Sequence, residues 1–333
     1  MKNIAFRFFG GEEKNFESRW GLFAKTLCGD EYQLSFKWNS ETTAVIFLDF
    51  TERDLESLQN FPFTGPKYLI LVEPPSVNPF QYNQDRLDTF DKVYTFSLET
   101  AHLYGVQYIR YMTPSRMWNV PIRETNQPKF GIISANKNSF HPKSLYKFRR
   151  QAIHHLSHSK LDFVYAGSGW DSSRLEDLVA DFRLLQYFWR SFGKVDFTQI
   201  RLFDKRRLTG NYVGSVPSKE SFLAELDVEI CIENCQDELS EKLFDSIQAH
   251  VVPVYLGVSL QKYGIPEEIV FVAPSDPSKL VEFLSTLTAQ EINEKKLRGQ
   301  EWWRTNKSDW SEENRIKELS EEFLKSIFLK DPM

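Results

Sequence analysis

The sequence predicts an α/β protein of two Rossmann-like domains facing a cleft, and three observations lead there. Short apolar runs alternate with amphipathic segments of helical period, as in a parallel sheet covered by helices on both faces. The alternation breaks once, across residues 112–128, where three prolines fall in a stretch without periodicity, and then restarts. A chain of 333 residues is also long enough to give each half its own core.

In the first third, residues 4–8, 32–36, 45–50, 68–72 and 92–96 read as strands by length and flanking residues, with helices over 17–27 and 52–58. After the break come strand 130–134, helix 143–156 and strand 163–166. A less regular, partly helical stretch leads to strand 228–232, helix 240–250 and strands 252–256 and 269–272. Helices over 277–287 and 290–303 follow. A last helix, 313–328, carries Ile316, Leu319, Phe323 and Ile327 on one face and is expected to pack back on the body. The expected domains are 1–124 and 125–300, followed by C-terminal helices over 301–333.

Charged residues are 26% and hydrophobic ones 41%, a globular balance. A net charge of −5 supplies no global field toward nucleic acid or anionic lipid. Aromatic residues reach 15%, which fits large aromatic cores, with a sugar-stacking surface as the sharper alternative. Cys28, Cys231 and Cys235 are too scattered for a disulfide framework and point to a reducing compartment. Met1-Lys-Asn-Ile-Ala-Phe-Arg-Phe-Phe does not read as a signal peptide, and no stretch approaches the roughly 18 apolar residues of a membrane span. The expectation is a cytoplasmic protein, with membrane contact at most peripheral.

In open α/β sheets, ligands bind beyond the carboxyl ends of the strands, which selects the residues after Val72, Ser134, Ala166 and Ile232. The last of these opens the most informative segment, residues 231–257. Glu233 and Asn234 emerge at a strand end, and Ser240 is the expected N-cap of the next helix. Lys242 in the first turn opposes the helix dipole unless an anion sits there. A diphosphate would suit that position, and a solvated lysine is the plainer alternative.

This segment resembles the α-1,3-fucosyltransferases (glycosyltransferase family 10), whose pattern is close to Phe-Glu-Asn-Ser, then Tyr-x-Thr-Glu-Lys, then a helix ending in Val-Pro-Val-x-x-Gly. The chain has Ile232-Glu233-Asn234-Cys235, Glu238-Leu239-Ser240-Glu241-Lys242 and Val252-Pro253-Val254-Tyr255-Leu256-Gly257. Upstream, the run from Gly210 to Lys219 is similar to the family's Tyr, Gly and Lys segment. Phe130-Gly131-Ile132-Ile133-Ser134-Ala135-Asn136 is similar to its strand ending in Ser-Asn, and Val72-Glu73-Pro74-Pro75 to its Glu-Ser-Pro-type segment. The likeness is strongest to the soluble bacterial members.

The resemblance implies a GT-B fold, with an acceptor-binding N-terminal domain and a donor-binding C-terminal one. It implies an inverting transfer of fucose from GDP-fucose to a glycan hydroxyl of GlcNAc type, with no cofactor required. Glu73 would be the general base. Ser134, Arg149, Asn234, Glu241 and Lys242 would bind the donor, with Arg150 a neighbouring alternative to Arg149. The partners would be the nucleotide sugar and an oligosaccharide or glycoconjugate, without nucleic acid and without a membrane span. Glu238 stands where the family has an aromatic residue that helps hold the donor, which opens the alternative of another donor sugar. A relative that binds nucleotide or glycan without turnover is a further alternative.

Other groupings read as structural. Cys231 and Cys235, near His250, read as buried thiols, and His154, His155 and His158 as helix-end charge. No Asp-x-Asp triplet is present to clamp a metal diphosphate, so no metal is expected. Arg201, Lys205, Arg206 and Arg207 form a small basic patch that reads as a solvated face, able to steer anions.

Overall fold

The computed structural model of the protein describes residues 2–8, 19–29, 32–60, 63–113, 118, 120–201 and 211–328. The first residues of the helix expected at 17–27, part of the 112–128 break, Gly210, and Lys205, Arg206 and Arg207 lie outside the described residues, as does the side chain of Ile327. The chain divides into two compact units: Met1–Ser115 with Ser308–Met333, and Arg116–Lys307.

In the first unit the chain runs β1 (Lys2–Phe8), α1 (Arg19–Cys28), β2 (Tyr32–Ser35), β3 (Thr42–Leu48), α2 (Glu52–Asn60), β4 (Lys67–Leu71), α3 (Gln84–Leu87), β5 (Lys92–Thr95), α4 (Leu98–Tyr104) and β6 (Gln107–Tyr108). Among the described residues these strands form one six-stranded sheet in the order β2-β1-β3-β4-β5-β6, parallel throughout. Strand β3, Thr-Thr-Ala-Val-Ile-Phe-Leu, is buried along nearly its whole length, as a strand covered on both faces must be. Its Leu48 pairs with Ile70 of β4, so the carboxyl ends of these two strands lie side by side.

The second unit repeats the plan: β7 (Phe130–Ile133), α5 (Tyr146–Ser157), β8 (Phe163–Ala166), α6 (Arg174–Phe192), α7 (Lys219–Leu223), β9 (Val228–Ile232), α8 (Glu241–Gln248), β10 (Val252–Leu256), β11 (Phe271–Val272), α9 (Leu280–Thr286) and α10 (Ala289–Trp310). Its described strands are ordered β11-β10-β9-β7-β8, again all parallel. One face is packed by Ile132, Leu156, Ile230, Val254 and Leu280, and the other by Ala166, Leu223, Leu226 and Val251. Each unit is thus a Rossmann-like sheet. In each the strand order reverses beside the first strand, between β1 and β3 and between β7 and β9.

Two parts of the second unit depart from the sequence pattern. The partly helical stretch contains α6, whose apolar Leu175, Phe182 and Trp189 are 60–70% exposed. Its inner side instead carries Asp177 and Asp181, paired with Arg201 at 2.9 and 2.6 Å. The proline-rich break also leans on this unit. Thr125 Oγ1 donates to Asp227 (2.7 Å), and the Lys296 ammonium donates to both Thr125 and Asp227 (2.7 and 2.8 Å).

The last helix, α11 (Glu312–Phe328), belongs to the first unit. Ile316, Leu319 and Phe323 are buried in that unit's core. The Phe323 ring stacks on Tyr94 at 4.7 Å and meets Phe23 and Tyr68 edge-on. No described helix is long and apolar enough to cross a membrane. Phe323→Ala should destabilise the first unit by about 3–5 kcal/mol, the usual cost of emptying a buried aromatic site. An unchanged urea midpoint and melting temperature would contradict this docking.

Candidate active site

The second unit's site starts from a carboxylate. Glu233 leaves the end of β9 with its side chain fully buried. A buried carboxylate is costly unless hydrogen-bonded and paired. Its partners come from two further elements. At the start of α8, Ser240 donates to it through its backbone N–H (2.9 Å) and its hydroxyl (2.5 Å). The Lys242 ammonium lies 3.2 Å away, and Tyr255 on β10 donates through its phenol at 3.4 Å. Ser240 is the N-cap of α8, accepting from Lys242 N at 3.5 Å. Gly257 leaves the space: a Cβ there would stand 2.5 Å from the Tyr255 oxygen and 2.6 Å from Glu233 Cγ.

Two cations meet at Asn234. Lys242 Nζ donates to Asn234 Oδ1 at 3.3 Å, and Arg149 Nη2 donates to the same oxygen at 3.2 Å. Arg149, buried on α5, also donates from Nη2 to the carbonyls of Ile232 (2.7 Å) and Glu233 (3.0 Å), and its guanidinium lies over Tyr146. Among the described residues, nothing accepts from its Nη1 or Nε. Burial lowers the Arg149 pKa. Burial opposes the Lys242 charge most strongly of any single cause, but the carboxylates of Glu233, Glu238 and Glu241 together outweigh it and hold that pKa above its ordinary value. The amide of Asn234 donates to Glu238 at 3.1 Å.

The loop before α5 is fastened to the same strand end. Leu145 N donates to Asn234 O, and Gln236 N donates to Lys143 O. Within that loop buried His141 accepts from Lys143 N on Nδ1 (3.2 Å), and burial brings its pKa down to about 4.

Of the donor-site residues expected from sequence, Arg149, Asn234 and Lys242 come together. Glu241 has a carboxylate oxygen 3.7 Å from Lys219, which also pairs with Asp245 at 2.5 Å. Ser134, past the end of β7, is buried, with no hydrogen-bond partner for its hydroxyl among the described residues. Its carbonyl accepts from Trp170 (2.7 Å). Arg150 points its donors elsewhere, at the carbonyls of Lys137 and Gln199, so Arg149 is the arginine that reaches β9. Cys231 and Cys235 are buried free thiols, and His158 bonds back to the His154 carbonyl at the end of α5. Among the described residues no group of three His, Cys, Asp or Glu could hold a metal ion.

Glu73 lies in the first unit, half-buried, two residues past β4. Its backbone N–H donates to the Asp49 carboxylate (3.1 and 3.0 Å), and its carbonyl accepts from Gln81 (3.1 Å) and Tyr82 (2.7 Å). Burial first, then the Glu73 charge, raises the Asp49 pKa to about 8 against the pull of its N–H donors.

The sequence reading placed Glu233 at a strand end without a role, and passed over Asp49. Each follows a buried strand directly at its carboxyl end, the one signal that marks them.

Two measurements probe this framework. Lys242→Ala should destabilise the second unit by about 3–5 kcal/mol, because it strands a buried carboxylate, and adding Glu233→Gln should restore most of the loss. Additive losses in denaturant titrations would show that the pair is not coupled. For His141, the unfolded chain binds a proton near pH 6.5 that the folded chain refuses until about pH 4. The stability it supplies is therefore full above pH 6.5 and lost as pH falls toward 4, up to roughly 3 kcal/mol. His141→Asn should flatten the acid side of a stability–pH curve.

No protein-family model and no curated protein matches the chain. Solved structures do. HepE from Anabaena in complex with UDP and glucose matches with a TM-score of 0.61 at 12% identity, over 98% of this chain and 100% of that one. A glycosyltransferase from Rickettsia africae matches at 0.58 and 13%, over 99% and 100%. An α1,3-fucosyltransferase with GDP matches at 0.56 and 12%, over 99% and 92%. At these identities the likeness is one of fold, and the chain has the GT-B fold of two Rossmann-like domains.

Proposed function

We propose that the protein is a glycosyltransferase that moves a sugar from a nucleoside-diphosphate donor to a glycan hydroxyl, with Arg149 and Lys242 facing the diphosphate. The observation that carries this is the pair of cations, buried Arg149 and partly buried Lys242, gathered at the end of β9, beside the reversal of strand order, where open α/β sheets bind ligands. Lys242 is neutralised by Glu233, but Arg149 is held by two carbonyls and an amide oxygen. Its charge is therefore not cancelled by a bonded carboxylate, and two of its nitrogens are left for an anion. HepE and the fucosyltransferase, which share the fold, hold UDP and GDP in their structures, and this supports a nucleoside diphosphate here.

The reaction that fits is an inverting displacement. Glu73 takes the proton of the acceptor hydroxyl as its oxygen attacks the anomeric carbon. The bond to the diphosphate breaks on the opposite face, and the leaving charge falls to Arg149 and Lys242. Asn234 and Glu241 would orient ribose and sugar, and the Ser134 hydroxyl would add a donor-side hydrogen bond. Side-chain cations take the place of a metal, so turnover should survive chelators. The enzyme would work in the cytoplasm, on a cytosolic nucleotide sugar.

The donor we favour is GDP-fucose and the acceptor a GlcNAc-type glycan, on the motif of residues 231–257. One observation favours another donor sugar in the same site. Glu238, where the related motif has an aromatic residue, is bonded to Asn234. Product analysis by mass spectrometry with GDP-fucose and a panel of UDP and CMP sugars decides between them. Glu73→Gln should lower turnover by roughly 10²-fold or more with nucleotide affinity unchanged. Arg149→Ala should weaken nucleoside-diphosphate binding by roughly 10-fold or more. A chain that binds no nucleoside diphosphate in calorimetry, or an Arg149→Ala variant that binds as well as wild type, would sink the proposal.

A further inference from the structure

We infer that Asp49 is the positioning residue for Glu73, an inference that rests on reading Glu73 as the base. Asp49 follows β3 where the strand order of the first sheet reverses, and it sits in the left-handed region at φ +57°. Non-glycine residues adopt that conformation rarely, and it persists only where the surroundings enforce it. What enforces it is a set of hydrogen bonds to the buried carboxylate. Val72 N donates to Oδ1 at 2.7 Å, Glu73 N to both oxygens, and Gln81 Nε2 to Oδ1 at 2.7 Å. All are neutral amide donors, so the carboxylate acts on the Glu73 peptide without cancelling any charge beside the base.

Gln81 closes the ring. The nitrogen that donates to Asp49 also donates to the Glu73 carbonyl at 3.1 Å, and its amide oxygen accepts from Phe50 N at 3.3 Å. Both backbone polar groups of Glu73 are therefore fixed to residues beyond β3 and in the 78–82 segment. Pro74, next in the chain, has no N–H and so adds no competing donor beside these acceptors. A base must be held within a few tenths of an ångström of its proton, and fixing its peptide from both sides is how a loop residue meets that requirement.

Asp49→Asn tests this, because asparagine tolerates the left-handed backbone but must turn an N–H₂ toward one of the N–H donors. We expect kcat to fall about 10-fold or more, with affinity for GDP and UDP unchanged. In a Glu73→Gln background the same change should have less than about a twofold effect, since there is no base left to misplace. Turnover would be measured with the nucleotide sugar selected in the product assay. Equal losses in both backgrounds, or full turnover in Asp49→Asn while Glu73→Gln is slow, would overturn the inference alone. Full turnover in Glu73→Gln would remove the base itself, and Asp49's role with it. If Asp49→Asn does not fold, Gln81→Met cuts the same ring and is read by the same cycle.

Discussion

The buried carboxylate of Glu233 is the constraint around which the second unit's site is organised. With no exposed surface it needs donors on every side, and it takes them from the cap of α8, from the first turn of that helix and from β10. This explains residues that look unrelated along the chain. Ser240 is both N-cap and donor. Lys242 occupies a first helical turn, where the dipole disfavours it, because the ion pair with Glu233 outweighs the dipole. Gly257 is glycine because Tyr255 and Glu233 fill the space where a Cβ would stand. With Lys242 neutralised in this way, Arg149 supplies the charge that remains at the strand end.

Much of the architecture was legible in the sequence. The strands expected over 228–232 and 252–256 are those observed, because buried parallel strands are continuous apolar runs with clear ends. Helix α6 was not legible. Most of its apolar residues face outward and its buried face carries two aspartates satisfied by Arg201 beside Phe188, so periodicity carried the wrong sign for burial over much of its length. Strand β6 spans only two residues and offers no period at all. In the site, the motif brought Arg149, Asn234 and Lys242 forward, and these three do converge. Glu233 was visible only as a polar residue at a strand end, and Asp49 stayed hidden because its side-chain partner Gln81 is distant in the chain. A carboxylate in a sequence reads as solvated until the residues that bury it are known.

The two units solve one problem in two ways. Their sheets share the same strand order up to the fifth strand, so β3 and β9 are equivalent third strands beside the reversal. Both end in a buried acid, Asp49 and Glu233. In the second unit the acid recruits a cation. In the first it recruits backbone and side-chain amides, and no cation stands among its described partners.

That difference has a chemical consequence under the proposed reaction. A cation bonded into the Asp49 ring would stabilise the Glu73 carboxylate as well and weaken it as a proton acceptor. Amide donors satisfy the buried acid without that penalty. The second unit faces the reverse requirement, since a departing diphosphate is stabilised only by positive charge that is already in place. There the acid holds Lys242, which in turn donates to Asn234, and Arg149 is fixed to the strand by neutral acceptors that leave its charge available. Under that reaction the same topological position would support a base where its acid is satisfied by amides, and an anion site where its acid is satisfied by lysine.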